Sequence, residues 1–364
     1  MKTAKAALFM GPEQPFQLKE YPVSIPKPGY AGLTLISSGV CGTDVHIHNG
    51  KLGSGYPAII GHEFVGEIDQ IGLEDSVATG LKLGDCCICD IALTCGHCLL
   101  CQEGDDANCL NLACSNAGDP EQEPHFIGGY AEYLFHPVNN LIPIPKTVDA
   151  KMASVFACAG PTSLHAFRLG EEAGLNLSHI RTVVVQGLGP VGMFAILYLA
   201  LCGVPNILAI SSGRNPQREK LALSFGATQV LKLNQGGFES VQKQVLDLTD
   251  QIGADLVYEA SGNPEAFNQG VSLLRNRGFY LVPGQYSSNG KIAFSPEIIT
   301  FKALRILGSS QYSICDVRSY VKLLEQHPEV HERISSIATT FPVEKINEAI
   351  ASAKAGDSIK VLLG

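Results

Sequence analysis

Hydrophobic and polar positions change their rhythm near residue 155. Upstream, apolar residues fall in short runs such as Ala31 to Ser38, Gly61 to Ile71 and Gly128 to Pro137, separated by Gly, Pro and other turn formers. That texture predicts an all-β barrel or sandwich. Downstream, strand-like runs alternate with helix-length segments. Thr182 to Gln186 is followed by Val191 to Cys202, Ile207 to Ile210 by Pro216 to Phe225, and Asp255 to Glu259 by Pro264 to Leu274, with Gly278 to Val282 after them. This alternation predicts βαβ units in a doubly wound parallel sheet. No internal repeat or low-complexity tract interrupts either region.

Composition adds bounds. A chain of 364 residues is too long for one ordinary core, and 45% hydrophobic with 17% charged residues is globular, so two domains are expected. A net charge of −9 leaves no basic face for neutralising phosphates, which argues against a nucleic-acid partner. The apolar run within Met1 to Met10 is too short for a signal peptide, and no segment reaches the roughly 20 apolar residues of a membrane span. The expected setting is soluble and cytoplasmic, where thiols stay reduced, so the 12 cysteines are better explained by metal binding than by bridges.

Four of those cysteines, Cys95, Cys98, Cys101 and Cys109, lie within one short stretch. Four thiolates at this spacing can converge on a tetrahedral Zn²⁺, whereas cysteines two residues apart seldom reach good disulfide geometry. Gly96 and Gly104 supply turns inside the loop, and His97 reads as a solvent-facing passenger. With all four positions filled by protein, such a zinc stabilises and performs no chemistry. Cys86, Cys87, Cys89, Cys114, Cys202 and Cys315 read as buried small residues or spare thiols.

In the second region, Gly187-Leu188-Gly189-Pro190-Val191-Gly192 follows the strand ending at Gln186 and opens an apolar helix. Alone, G-x-G-x-x-G is a weak signal and is compatible with a ligand-free βα turn. Here it sits in the strand-turn-helix setting where one Gly turns the chain, one lets a pyrophosphate approach and one packs helix on strand. The first region holds a second cluster: Cys41, Thr43, Asp44 and His46 within six residues, and His62-Glu63 some twenty further on. Taken singly, Cys41 reads as a buried small residue and His62 as a hydrogen-bonded turn histidine. Together with the cysteine loop and the glycine fingerprint they form a constellation.

That constellation resembles the zinc-dependent, medium-chain alcohol dehydrogenases over nearly the whole chain: Cys-Gly-Thr-Asp at 41–44, Gly-His-Glu-Phe-x-Gly at 61–66, the four-cysteine lobe at 95–109 and the fingerprint at 187–192, in that order. The resemblance implies a GroES-like all-β catalytic domain over 1–157, a Rossmann domain over 158–306, and a segment over 307–364 that completes the first domain. It also implies a cleft between the domains, and a homo-oligomer, dimer or tetramer. By resemblance, the catalytic zinc takes Cys41, His62 and Cys158, the last from Phe156-Ala157-Cys158-Ala159-Gly160-Pro161-Thr162, so that each chain holds two zinc ions. Glu63 is expected beside the metal as a neighbouring or exchangeable ligand, and Cys41, His62 and Glu63 are the competing set. Such a zinc would lower the pKa of a bound alcohol. Thr43 and His46 are the implied proton relay, with His48 left at the surface.

Cofactor choice is expected at Ser211-Ser212-Gly213-Arg214. NAD-selective folds place an acid about 20 residues past the glycines. Gly213 takes that place here, and Arg214 with Ser211 or Ser212 could bind a 2′-phosphate, which leans the reading towards NADP and makes Gly213→Asp the expected switch towards NAD. Gly42 stands where some relatives carry a basic residue for the pyrophosphate, and Lys360 is the expected partial replacement. Ile91 and Leu307 are the expected apolar lining for an alcohol substrate. A non-catalytic dinucleotide-binding redox sensor with a structural zinc is the alternative, disfavoured by a complete ligand set together with a relay.

Overall fold

The structure is a computed structural model that describes residues 2–285, 287, 289–356 and 358–364. Two compact units emerge: residues up to Pro161 together with Tyr312–Gly364, and Thr162–Gln311.

The first unit begins with an antiparallel pair, β1 (Thr3–Leu8) and β2 (Gln17–Pro22). Its long central strand, β3 (Tyr30–Val40), pairs antiparallel with β4 (Glu63–Ile71), which pairs in turn with β5 (Cys86–Cys89). Two short strands, β6 (Ala92–Leu93) and β7 (Ala113–Cys114), pair on either side of the four-cysteine loop. The unit continues with β8 (Tyr133–Pro137), paired with β3, and β9 (Leu141–Pro143), paired with β5. Side chains of β3 alternate across the sheet as the two-residue strand period requires, with Ala31 and Leu33 joining Phe64 and Leu134 in one core cluster.

The second unit is the alternating region. Its strands are β10 (Thr182–Gln186), β11 (Asn206–Ser211), β12 (Gln229–Lys232), β13 (Ala254–Glu259), β14 (Leu274–Val282) and β15 (Arg305–Gly308). All pair parallel in the order β12-β11-β10-β13-β14-β15. The order reverses between β10 and β13, and in open α/β sheets such a switch point leaves a crevice at the strand C-termini. Val183, Val184 and Val185 are fully buried, as a strand covered on both faces demands. Leu307 lies in β15, so the parallel sheet runs past residue 306. Cys158, in contrast, stays with the first unit, because that unit extends to Pro161.

The chain then returns. β16 (Ala338–Phe341) pairs parallel with β17 (Lys360–Leu363), and β17 pairs antiparallel with β3 to complete the first sheet.

A histidine that the sequence reading did not single out lies in the core of the first unit. His136 on β8 is fully buried, donates through Nε2 to the carbonyl of Asp90 at 2.9 Å, and sets its ring edge-on to Phe64. Burial pushes its pKa down to about 4. The folded value lies below the ordinary 6.5, so between these two pH values the unfolded chain binds the extra proton and stability falls as pH falls. His136→Gln keeps a donor but removes the titration. The stability gap between wild type and this variant should therefore narrow by about 1.4 kcal/mol per pH unit below 6.5, measured by denaturant unfolding at pH 7 and pH 5. A gap that stays constant with pH would contradict this account.

Candidate metal centres and dinucleotide groove

In the four-cysteine loop, the ligand atoms of Cys95, Cys98, Cys101 and Cys109 lie within 4.8 Å of one another. Backbone N–H groups point at the sulfurs: Cys98 to Cys95 Sγ at 3.4 Å, and Cys95 to Cys109 Sγ at 3.3 Å. Asn111 adds two more, its side-chain amide to Cys95 Sγ and its backbone to Cys109 Sγ, both at 3.4 Å. Asn111 first, and then the backbone at His97, pull the Cys95 thiol down to about 5. A soft, all-sulfur donor set with converging N–H groups suits Zn²⁺ and leaves no open ligand position. His97 is exposed, and its ring Nδ1 faces the Cys95 carbonyl at 2.7 Å.

The second centre belongs wholly to the first unit. Cys41, His62, Glu63 and Cys158 also bring their ligand atoms within 4.8 Å of one another. Cys41 precedes the short helix Gly42–His48 as its N-cap, and His62 and Glu63 stand at the start of β4. Asp44 ties these two segments together. It is fully buried, and one carboxylate oxygen accepts the Cys41 N–H at 2.8 Å while the other faces His62 Nδ1 at 3.1 Å. With Nδ1 engaged, Nε2 is the nitrogen left for a metal, a second-layer arrangement that fixes ring orientation. Asp44 was legible in sequence only as part of a motif, and its role required this fold.

Charge decides what the cluster can hold. Cys158 and then, against the cost of burial, His62 hold the Cys41 thiol well below its ordinary range. The Cys41 sulfur in turn holds Cys158 well above its own. Two adjacent sulfurs thus keep one proton between them, and burial of His62 is outweighed by Asp44, which raises its pKa well above the usual 6.5. A bound dication would displace these protons, so the donor set fits zinc. Thr43 Oγ1 lies 3.5 Å from Cys41 Sγ. His46, on the same helix, is half-buried and has its pKa lowered, chiefly by burial and then by Lys51.

Glu63, within the same cluster, is also tied to Lys360. Its Oε2 is bonded to Lys360 Nζ, and both side chains are 1% exposed. Burial raises the Glu63 carboxyl to about 7 with Lys360 opposing. Burial alone would neutralise Lys360, yet Glu63 and then Cys41 raise its ammonium above the ordinary range. We read the pair as ionised, because the two partners sit in direct contact. Lys360 is therefore not the pyrophosphate contact expected from sequence: its charge is committed to Glu63 inside the first unit. His48 also departs from expectation. It is buried, stacked on Phe16 at 5.7 Å, and accepts from Lys354 Nζ at 2.9 Å.

The second unit carries a groove of roughly 390 Å³ at its switch point, lined by Gly187, Leu188, Gly189, Ser212, Arg218 and Ser261 among others. The three glycines divide the work as the fingerprint requires. Gly187 has φ +95° and packs on the Ser261 backbone, a Cβ on Gly192 would lie 2.0 Å from the Gly187 carbonyl oxygen, and nothing lies within 4 Å of where a Gly189 Cβ would be. Pro190 and Val191 open the helix Pro190–Leu201, which Gly189 caps. The expected selectivity segment is corrected in three respects. Ser211 is buried, with its hydroxyl donated to Glu219 Oε1 at 2.9 Å, and Glu219 is paired with Lys232 at 2.6 Å. Arg214 is exposed and is not among the groove-lining residues. Gly213 has φ +78°, and a Cβ there would lie 2.1 Å from Asn234 Cγ, so an Asp cannot be installed without strain. Arg218 was missed in sequence. It lies one helical turn beyond Arg214, half-buried, with Nη1 donated to the Leu188 carbonyl at 3.2 Å.

Comparison with known proteins agrees with this fold. Residues 27–146 match the family described as Alcohol dehydrogenase GroES-like domain, and residues 190–326 match Zinc-binding dehydrogenase. The 5-exo-hydroxycamphor dehydrogenase of Pseudomonas putida is 31% identical, over 100% of this chain and 99% of that protein. A sorbitol dehydrogenase of Halalkalibacterium halodurans is 28% identical, over 96% and 95%. Among solved structures, an alcohol dehydrogenase from Thermotoga maritima superposes with a TM-score of 0.90 at 27% identity, covering 100% of this chain and 99% of that one. The chain belongs to the zinc-binding, medium-chain alcohol dehydrogenase family. It has a GroES-like domain and a Rossmann-like domain, and no helix among the described residues is long and apolar enough to cross a membrane.

The Glu63–Lys360 pair yields a test of the site's architecture. Lys360→Met should destabilise the protein by about 3–5 kcal/mol by leaving a buried carboxylate unpaired. The double variant Glu63→Leu/Lys360→Met should recover most of that loss. Denaturant unfolding of the four members of the cycle measures the coupling, and additive effects would refute the pairing.

Proposed function

We propose that this protein is a zinc-dependent alcohol dehydrogenase that transfers hydride between an alcohol, with an aldehyde or ketone as product, and NAD(P). The observation that carries this reading is the convergence of Cys41, His62 and Cys158 with Asp44 buried behind the histidine. When bound, zinc would polarise the alcohol oxygen as a Lewis acid and the dinucleotide would take the hydride. Cys41, His62 and Cys158 hold the metal in this reading, Asp44 fixes the His62 tautomer, and Glu63 stays with Lys360. Thr43, beside the Cys41 sulfur, accepts the alcohol proton. His46, whose lowered pKa keeps it neutral and basic below the usual 6.5, passes it on. Cys95, Cys98, Cys101 and Cys109 hold a second, structural zinc.

Metal analysis and turnover separate the two centres. Metal-replete protein should contain two zinc ions per chain. Cys158→Ala should lose one of them together with NAD(P)H-coupled turnover on primary, secondary and cyclic alcohols, while keeping its fold. Cys98→Ser should lose stability first, because a structural site contributes folding energy. Full zinc content and turnover in Cys158→Ala would move the third ligand to Glu63. Two zinc ions without turnover on any alcohol would favour the redox-sensor reading.

For the cofactor we infer a preference for NADP. Glu219, the acid that follows β11 in the next helix, is tied up by Ser211 and Lys232, while Ser212 and Arg218 line the groove. An Arg pairing with a 2′-phosphate contributes roughly 1.5–3 kcal/mol, a preference of about tenfold to a hundredfold. Arg218→Ala should therefore lower kcat/KM for NADPH by that factor and leave NADH nearly unchanged. Equal losses with both cofactors would assign Arg218 to the groove wall and remove the NADP preference.

A further inference from the structure

Glu259 is a buried acid to which the chemistry above gives no part. It ends β13, directly beside Gln186 at the end of β10, so the turn that follows it and the glycine loop leave adjacent parallel strands at the switch point. Its side chain is fully buried. One oxygen, Oε1, accepts three hydrogen bonds: from Ser261 N at 2.8 Å, from Ser261 Oγ at 2.5 Å and from Gly262 N at 3.0 Å. The set continues outward, since Ser261 Oγ accepts the Asn263 N–H at 3.2 Å and Asn263 Oδ1 caps the next helix at Glu265 N. The other oxygen, Oε2, is buried, and the Gln285 side chain is near enough to offset part of the rise that burial gives the carboxyl.

Burying a carboxylate is costly, and an amide or hydroxyl would be cheaper to bury. What a carboxylate offers is one acceptor atom able to gather three donors on consecutive residues. Those residues form a wall of the groove. Ala260, Ser261 and Asn263 line it opposite the glycine loop, and the Ser261 Cα lies 2.8 Å from where a Gly187 Cβ would be. Backbone at that separation cannot shift towards the loop, and Oε1 prevents it from shifting away.

We propose that Glu259 is a positioning residue for the dinucleotide, holding the 260–263 turn at the distance from the Gly187–Gly189 loop that the cofactor requires. The proposal rests on the dinucleotide reading of this groove. It does not touch the metal centres.

Equilibrium titration with NADH and with NADPH, followed by nucleotide fluorescence on the metal-replete protein, tests this without turnover. Glu259→Ala should raise Kd by about tenfold, the scale of losing one or two hydrogen bonds to a charged group. Glu259→Gln, which keeps an acceptor oxygen, should restore most of the affinity. Hydrogen exchange should show the Ser261 and Gly262 amides released in Glu259→Ala while Val257 in β13 stays protected, which a general loss of fold would not do. Should Glu259→Ala not fold, Glu259→Asp withdraws the oxygen by one methylene and should raise Kd in the same sense. Wild-type Kd in whichever of these variants folds, with the two amides released, would overturn the positioning role alone. Failure of the wild-type protein to bind either nucleotide would overturn the groove reading and the proposal with it.

Discussion

The ion pair between Glu63 and Lys360 is the contact on which the first unit turns. Lys360 opens β17, Glu63 opens β4, and Gly39 of β3 lies between them, paired with Leu362 on one side and with Glu63 on the other. A Cβ on Gly39 would lie 2.1 Å from Glu63 Oε2 and 2.8 Å from Lys360 Nζ, so the pair exists because this position has no side chain. Nearly three hundred residues separate the partners, and their bond draws the end of the chain onto the sheet that carries the metal donors. Such a buried pair is weak evidence of net stability. Its consequence is specificity: Lys360 has no acceptable place except beside Glu63, and this fixes the register of β17 against β3.

The same pair determines what Glu63 does at the donor cluster. A carboxylate free to swing would compete with Cys158 for a metal, whereas one anchored by Lys360 contributes charge from a fixed position. Cys41 and Cys158 meanwhile cannot both ionise at contact distance without a cation, and the positive charge nearest them belongs to His62 and Lys360. The site is thus prepared for a dication by its electrostatics as well as by its geometry. Asp44 completes it by turning His62 so that one nitrogen is spent inside the protein.

Much of this was legible in the sequence because local rules suffice for it. β10 and the helix Pro216–Phe225 appear with the residues expected, since a buried valine run and an N-cap Asn before Pro are strong local signals. β12 and the helix Gly237–Leu248 were not anticipated, although the helix is amphipathic and buries Val241 and Val245 on one face. The four-cysteine loop was readable because its ligands are close in sequence. The role of Lys360 was not, because its partner is set by a strand pairing that no local pattern encodes. His48 misled for the same reason: an imidazole two residues past His46 looks solvent-facing until Phe16 and Lys354 arrive from distant segments.

The end of β11 shows how a motif can be read correctly for composition and wrongly for geometry. Gly213 stands where an acid is usual, but its left-handed backbone and the Asn234 side chain against it mean that the turn has been rebuilt around a glycine. An acid stands instead in the following helix as Glu219, where, against the cost of burial, Lys232 and then Ser211 lower its pKa and make it a brace for the strand end. Arg218, the neighbour of that acid, is carried to the groove side and anchored on the Leu188 carbonyl, within the glycine loop itself. Positive charge beside the glycine loop is therefore carried by a helix, where Arg218 stands next to a carboxylate already paired with Lys232.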